Sequence, residues 1–133
     1  TSGVVYRTAQ GVTLARVAEY ASRPRPGVSQ LLQGGPFLVD AKLAVPGLEA
    51  SKARTRTLVI HDGAHGWVIG VTGSITLDEL ARTLASTQTL GGVKIHRALN
   101  LDGGSSSACW IAGKSLRTPW KPVRNYLAVV PAK

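Results

Sequence analysis

Leu77, Leu80, Ala81, Leu84 and Ala85 recur at i, i+3, i+4, i+7 and i+8, a spacing that lines up one apolar face on a helix. Thr76 and Glu79 precede and open this run with the Ser/Thr-x-x-Glu spacing of a capping box. The pattern predicts an amphipathic helix over 76–87, after which Gly91 and Gly92 stop or turn the chain. Thr57 to Ile60 and Trp67 to Val71 are β-rich runs on either side of a polar stretch with Asp62-Gly63 at its start, which reads as a hairpin. Arg97 to Leu101, Ala108 to Ile111 and Tyr126 to Val130 are further strand candidates. The fold class expected is α+β: a curved, largely antiparallel or mixed β-sheet with one clear amphipathic helix.

The first fifty residues carry a mixed signal. Val4 to Thr8 and Val12 to Val17 suit a hairpin over Gln10-Gly11, while Leu14, Val17, Ala18 and Ala21 also fit a short helix; the strand reading is preferred. Ser22 to Gly27 is a loop, because each proline removes a donor and holds its predecessor extended. Leu48 to Lys52 is another. No internal repeat, low-complexity tract or linker breaks the chain, so residues 1–133 read as a single domain.

A chain of 133 residues can bury a real core. No apolar run approaches the roughly 20 residues needed to span a membrane. The chain has no Met and no basic start with an apolar block, so a processed product or fragment is expected. Sixteen Lys and Arg against seven Asp and Glu give a net charge of +9, which favours acidic partners or serves solubility alone. Nucleic acid is not expected as a partner: there is no helix-turn-helix, aromatic RNA-binding motif or zinc finger. The lone Cys109 forbids an internal disulfide and supplies no zinc constellation; between Ala108 and Trp110 it reads as a small packed hydrophobe. No metal or cofactor is expected.

One stretch does not look like scaffolding. In "NLDGGSSSACW", Asn100 to Trp110, an apolar strand delivers the chain to an Asp, two glycines and three serines. Two glycines let the backbone turn tightly and approach a ligand, and successive N–H groups in such a turn form an anion-binding concavity. Asp102, at a strand end, can act as acid, base, nucleophile or hydroxyl acceptor. The spacing fits neither a phosphate-binding P-loop nor a nucleophile elbow. A plain tight turn in which Asp102 bonds neighbouring amides is the competing reading.

A longer pattern bears on that choice. "LLQGGPFLV" (Leu31 to Val39), "RTRTLVIHDG" (Arg54 to Gly63), "GSITLDELARTL" (Gly73 to Leu84), "ALNLDGGSSS" (Ala98 to Ser107) and "PVRNYLAVV" (Pro122 to Val130) occur in this order. Together they resemble the phosphodiester glycosidase family over roughly Leu31 to Pro131. Bacterial relatives usually carry a third glycine where this chain has Ser105. The family's upstream Asn-Gly-Gly-aromatic motif is not found in Thr1 to Gln30. The resemblance therefore implies a domain lacking the N-terminal part of the family domain: that part has been removed, is supplied by another chain or segment, or was never present.

What the resemblance implies about function is cleavage of a sugar–phosphate phosphodiester at the anomeric carbon, or action on a cell-envelope glycan, outside the cytoplasm. The alternative is a non-catalytic module that binds anionic glycans. Carried over residue by residue, it implicates Asp102 as the catalytic group. Gln33, Gly34, Gly35, Arg56, Thr57, Asn100, Gly103, Gly104, Ser106, Arg124 and Asn125 are implied for substrate binding. The guanidinium fork of Arg56 or Arg124 matches two phosphate oxygens, and Asn100 and Gln33 suit sugar hydroxyls. Two-carboxylate hydrolysis needs a partner for Asp102. Asp78 and Glu79 belong by position to the helix start, and Asp62 and Asp40 to turns, which leaves Glu49 or an upstream residue. His61 and His96 are not assigned.

Overall fold

The computed structural model describes residues 2–23, 26–123 and 126–131. In chain order the elements are β1 (Gly3–Thr8), β2 (Gly11–Arg16), α1 (Val17–Ala21), β3 (Gln30–Gly34), β4 (Phe37–Asp40), β5 (Leu43–Ala44), β6 (Arg56–His61) and β7 (Trp67–Val71). There follow α2 (Leu77–Thr87), β8 (Thr89–Leu90), β9 (Val93–Lys94), β10 (Arg97–Gly103), a 3₁₀ turn (Gly104–Ser106), β11 (Cys109–Ile111) and β12 (Lys114–Arg117). The fold is α+β, with every strand pairing antiparallel.

A five-stranded sheet in the order β5-β4-β10-β6-β7 forms the centre, and a three-stranded sheet, β2-β1-β3, packs against it. Period-two alternation sorts the central strands into two faces. Leu38, Leu58, Ile60 and Ala98 point to α2 and meet Leu77, Leu80, Ala81 and Leu84, the stripe expected from the spacing. Phe37, Val59 and Leu99 point the other way, onto Val5 and Leu14 of the small sheet. On that small sheet Val4, Tyr6 and Ala15 receive Val17 and Tyr20 of α1. Burying each large side chain of this kind contributes about 1.5–3 kcal/mol.

Local chemistry explains the ends of these elements. The Thr76 side chain accepts a hydrogen bond from the Glu79 N–H at 3.2 Å, satisfying one of the orphan donors of the first turn of α2. Gln88 then closes the helix in the left-handed region, at φ 60°. In the β6–β7 turn Asp62 Oδ1 accepts from the N–H groups of Ala64 and Gly66 at 2.7 and 2.9 Å, so Asp62 is the turn residue expected of it.

A cluster of charges clasps the two sheets together. Arg97 on β10 donates to both Glu19 oxygens at 2.8 Å, to the Leu14 carbonyl at 3.1 Å, and pairs with Asp40 at 3.0 Å. Arg16 holds the other Asp40 oxygen, and both guanidiniums lie over the Phe37 ring. Asp40 does stand before a turn, at Ala41 and Lys42, but its carboxylate serves this clasp.

Two sequence expectations change. The hairpin β1–β2 forms as preferred, yet Val17, Ala18 and Ala21 also form a helix, so the two competing patterns are both realised, one after the other. Tyr126 to Val130 forms no strand. β-propensity becomes a strand only where an edge is available to pair with; here Leu127 packs on the Phe37 and Leu99 cluster while Tyr126, Val129 and Val130 stay exposed.

Candidate functional site

β10 carries a β-bulge at its C-terminal end. Asn100 pairs with Leu58 of β6, but Asp102 pairs with Thr57 and Gly103 with Arg56, so Leu101 is an extra residue on its strand. An inserted residue re-aims the side chains that follow it. Leu101 and Asp102 consequently share the face of Thr57, and all three line a cavity of about 750 Å³. Leu32 and Gln33 of β3, Ile69 of β7 and Ser106 complete the wall on that side. Cys109, Trp110, Tyr126 and neighbouring residues close it from the C-terminal segment.

Asp102 is exposed within this cavity, and its Oδ1 accepts from the Gly103 N–H at 2.6 Å. The loop beyond it is held from beneath by β6 and its approach. The Thr55 carbonyl accepts from the Gly104 N–H at 2.8 Å and from the fully buried Ser107 hydroxyl at 3.4 Å. Gly104 stands at φ 75°, in the left-handed region where a side chain is disfavoured. Ser105 is not at positive φ, so the backbone accommodates a side chain there. The Ser105 carbonyl accepts from the Trp120 N–H at 2.7 Å, tying the C-terminal segment to the loop.

Beside Asp102, the Thr57 hydroxyl is buried without a hydrogen-bond partner among the described residues. A buried hydroxyl with an open partner position on a cavity wall can donate to, or accept from, whatever fills the cavity. Gln33 is exposed and lines this cavity and a second one, which contains Gly34, Gly35 and Glu49. Ser106 directs its hydroxyl to the Gly103 carbonyl at 3.4 Å.

Arg56 and Asn100 belong to the other face. Arg56 is buried; it donates to the carbonyls of Lys52 and Ile75 at 2.9 and 3.4 Å, and Nη1 lies against Gly103, where a Cβ would come within 2.9 Å of it. Burial, followed by the nearby Arg54, pushes its pKa down. Asn100 is buried, donating to the Gly35 carbonyl at 2.9 Å, with Oδ1 unpartnered among the described residues. A Cβ on Gly34 would sit 3.1 Å from the Asn100 carbonyl oxygen, so this glycine lets β3 approach β10. The implicated residues therefore divide: Asp102, Thr57, Gln33 and Ser106 meet at one cavity, while Arg56, Asn100, Gly34 and Gly103 support the backbone under it. Arg124 and Asn125 lie outside the described residues.

Glu49, the carboxylate that the sequence leaves free to partner Asp102, accepts from the N–H groups of Ser51 and Lys52 and from the Ser51 hydroxyl. The Ser51 hydroxyl first among these holds its pKa down. Asp102 is the only carboxylate lining its cavity among the described residues. Among those residues, no group of three or more His, Cys, Asp or Glu could hold a metal ion, and no helix is long and apolar enough to cross a membrane.

The sequence profile of the phosphodiester glycosidase family matches residues 2–130. The chain belongs to this family. No curated protein matches its sequence. Among solved structures, the catalytic domain of zebrafish N-acetylglucosamine-1-phosphodiester alpha-N-acetylglucosaminidase, auto-inhibited by its pro-peptide, shares the fold with a TM-score of 0.61 at 16% identity. That match covers 88% of this chain and 44% of the zebrafish chain. The Trp110 and Tyr126 walls of the cavity carried no local signal in the sequence, since an aromatic flanked by apolar residues reads equally well as core.

Proposed function

We propose that this phosphodiester glycosidase domain cleaves a sugar–phosphate phosphodiester at the anomeric carbon, with Asp102 as the catalytic residue. The observation that carries the reading is the bulge that turns Asp102 into a cavity beside the open hydroxyl of Thr57. In the reaction the bond from C1 to the bridging oxygen breaks, and the phosphate monoester leaves with the electron pair. A water oxygen forms the new bond to C1 and gives up its proton. Because a phosphate monoester already leaves readily, activating the water and stabilising positive charge at C1 matter more than acid assistance. The Asp102 carboxylate serves as nucleophile, base or oxocarbenium stabiliser. Thr57, Gln33 and Ser106 hold sugar or phosphate oxygens.

The test is Asp102→Asn in the intact protein, with turnover of a model sugar phosphodiester and a thermal melt measured together. Turnover falls about 10²-fold or more, and the melt is unchanged because asparagine keeps the size and the bond to Gly103. Unchanged turnover with an unchanged melt removes Asp102 from the mechanism. A second reading, a module that binds anionic glycans without cleaving them, is favoured by Asp102 being the only carboxylate on its cavity wall among the described residues. Saturable binding of a sugar phosphate by a wild-type protein that shows no turnover decides for it.

A further inference from the structure

The β11–β12 hairpin stands apart from the rest of the fold. Ala112 and Gly113, both in the left-handed region at φ 50° and 77°, close it as a two-residue turn whose twist matches that of the paired strands. Ile111 pairs with Lys114 across the turn, Trp110 with Ser115 and Cys109 with Arg117. Among the described elements, β11 and β12 pack substantially only on each other. Trp110, Ile111 and Leu116 join none of the three apolar clusters and are 53%, 60% and 61% exposed. A two-stranded hairpin without a third layer is marginally stable in water, so this one belongs to the low-stability end of the molecule.

Both of its roots are nevertheless fixed, and close to the same place. One strand leaves from Ser107, whose buried hydroxyl donates to the Thr55 carbonyl at 3.4 Å. The other is followed by Trp120, whose N–H donates to the Ser105 carbonyl at 2.7 Å. Between these two pins on the loop beyond Asp102, β11 lines the Asp102 cavity with Cys109, Trp110 and Ile111, and β12 does not. Trp110 and Ile111 therefore form part of a cavity wall while more than half in water. Lowering that wall onto a ligand removes both apolar faces from water, which favours the closed arrangement.

We infer that the β11–β12 hairpin is a flap, rooted at Ser107 and Trp120, that closes over the Asp102 cavity when a sugar phosphate fills it. Closure brings Trp110 and Ile111 over the ligand and excludes water from the reacting centre; opening admits substrate and releases product. The identity of the ligand rests on the proposed glycosidase reading, whereas the motion itself does not.

Amide hydrogen exchange on the intact protein tests this, with glucose 1-phosphate as the probe. Without the probe, the β12 amides exchange about a hundredfold or more faster than those of β10. Gly3→Ala, which weakens the core, speeds β10 and leaves β12 unchanged. Trp120→Pro deletes the N–H that pins one root; it speeds β12 about fivefold and leaves β10 unchanged. Trp120→Ala keeps that N–H and changes neither. Glucose 1-phosphate slows β12 about fivefold or more, and because β12 does not line the cavity, this slowing reports closure and not direct cover by the ligand. Exchange of β12 together with β10, with both responding alike to Gly3→Ala, overturns the inference. So does β12 exchange that glucose 1-phosphate leaves unchanged. Turnover of a sugar phosphodiester without β12 protection sinks the flap alone, and β12 protection without turnover sinks the catalytic reading alone.

Discussion

Replacing Arg97 by Met removes the clasp between the two sheets while keeping the length and apolar body of the side chain. Two bonds to Glu19, one to the Leu14 carbonyl and the pair with Asp40 are lost together. Breaking a fully buried pair costs about 3–5 kcal/mol, because the remaining charge is left without its partner. Water moderates that here: the Glu19 side chain is 42% exposed, and Asp40 keeps Arg16. The expected loss is therefore about 2–3 kcal/mol, or a fall in Tm of about 7–11 °C for a chain of this size. Arg82→Met serves as control, since it removes an exposed pair with Asp78 one helical turn away, worth about 0.3–0.5 kcal/mol. Acid provides a second readout. The Arg97 hydrogen bond holds the Glu19 pKa below its usual value. Its contribution is present above the unfolded carboxylate pKa, near 4.3, and is lost as pH falls through the lower folded value. Thermal melts from pH 7 to 3 should show this acid-side loss in the wild type and a flatter profile in Arg97→Met. A variant that melts no lower than Arg82→Met, with an unchanged acid limb, refutes the account.

Three further outcomes follow from the packing. Gly3→Ala places a Cβ on the Phe37 ring, in a core with no slack, and urea titration should show a loss of about 1–3 kcal/mol. Thr76→Ala leaves the Glu79 N–H without its cap and lowers stability by about 1 kcal/mol in the same titration. Burial, the largest cause, pushes the His61 pKa down. Its contribution is present above the unfolded value near 6.5 and is lost as pH falls towards the folded one, so His61→Gln should flatten melts in that window.

Where a signal is local, the sequence carried it. The stripe of α2 and its Thr76 cap, the β6–β7 hairpin and the Asp62 turn all depend on residues within a few positions of one another. Pairings across the chain left no such trace. Glu19 and Arg97 are 78 residues apart, and nothing near either residue announces the other. Tyr126 to Val130 has strand composition, but composition does not supply an edge to pair with. Of the candidate site, the sequence offered Asp102, Thr57, Gln33 and Ser106 as residues and not as an arrangement. Neighbours such as Arg56 and Thr57 face opposite ways by ordinary alternation, and the bulge that decides where Asp102 points is a property of two strands at once.

That bulge determines what Asp102 has for a neighbour. In an unbroken ladder Leu101 would stand opposite Thr57, and Asp102 would stand opposite Arg56 on the helix face. Carboxylate and guanidinium would then neutralise one another inside the protein. The extra residue shifts the count by one, giving Arg56 the bare backbone of Gly103 and leaving the negative charge of Asp102 to the open side. A change of one residue in the length of β10 is thus equivalent to carrying a charge through the sheet, from a place where it would be cancelled to one where it is available.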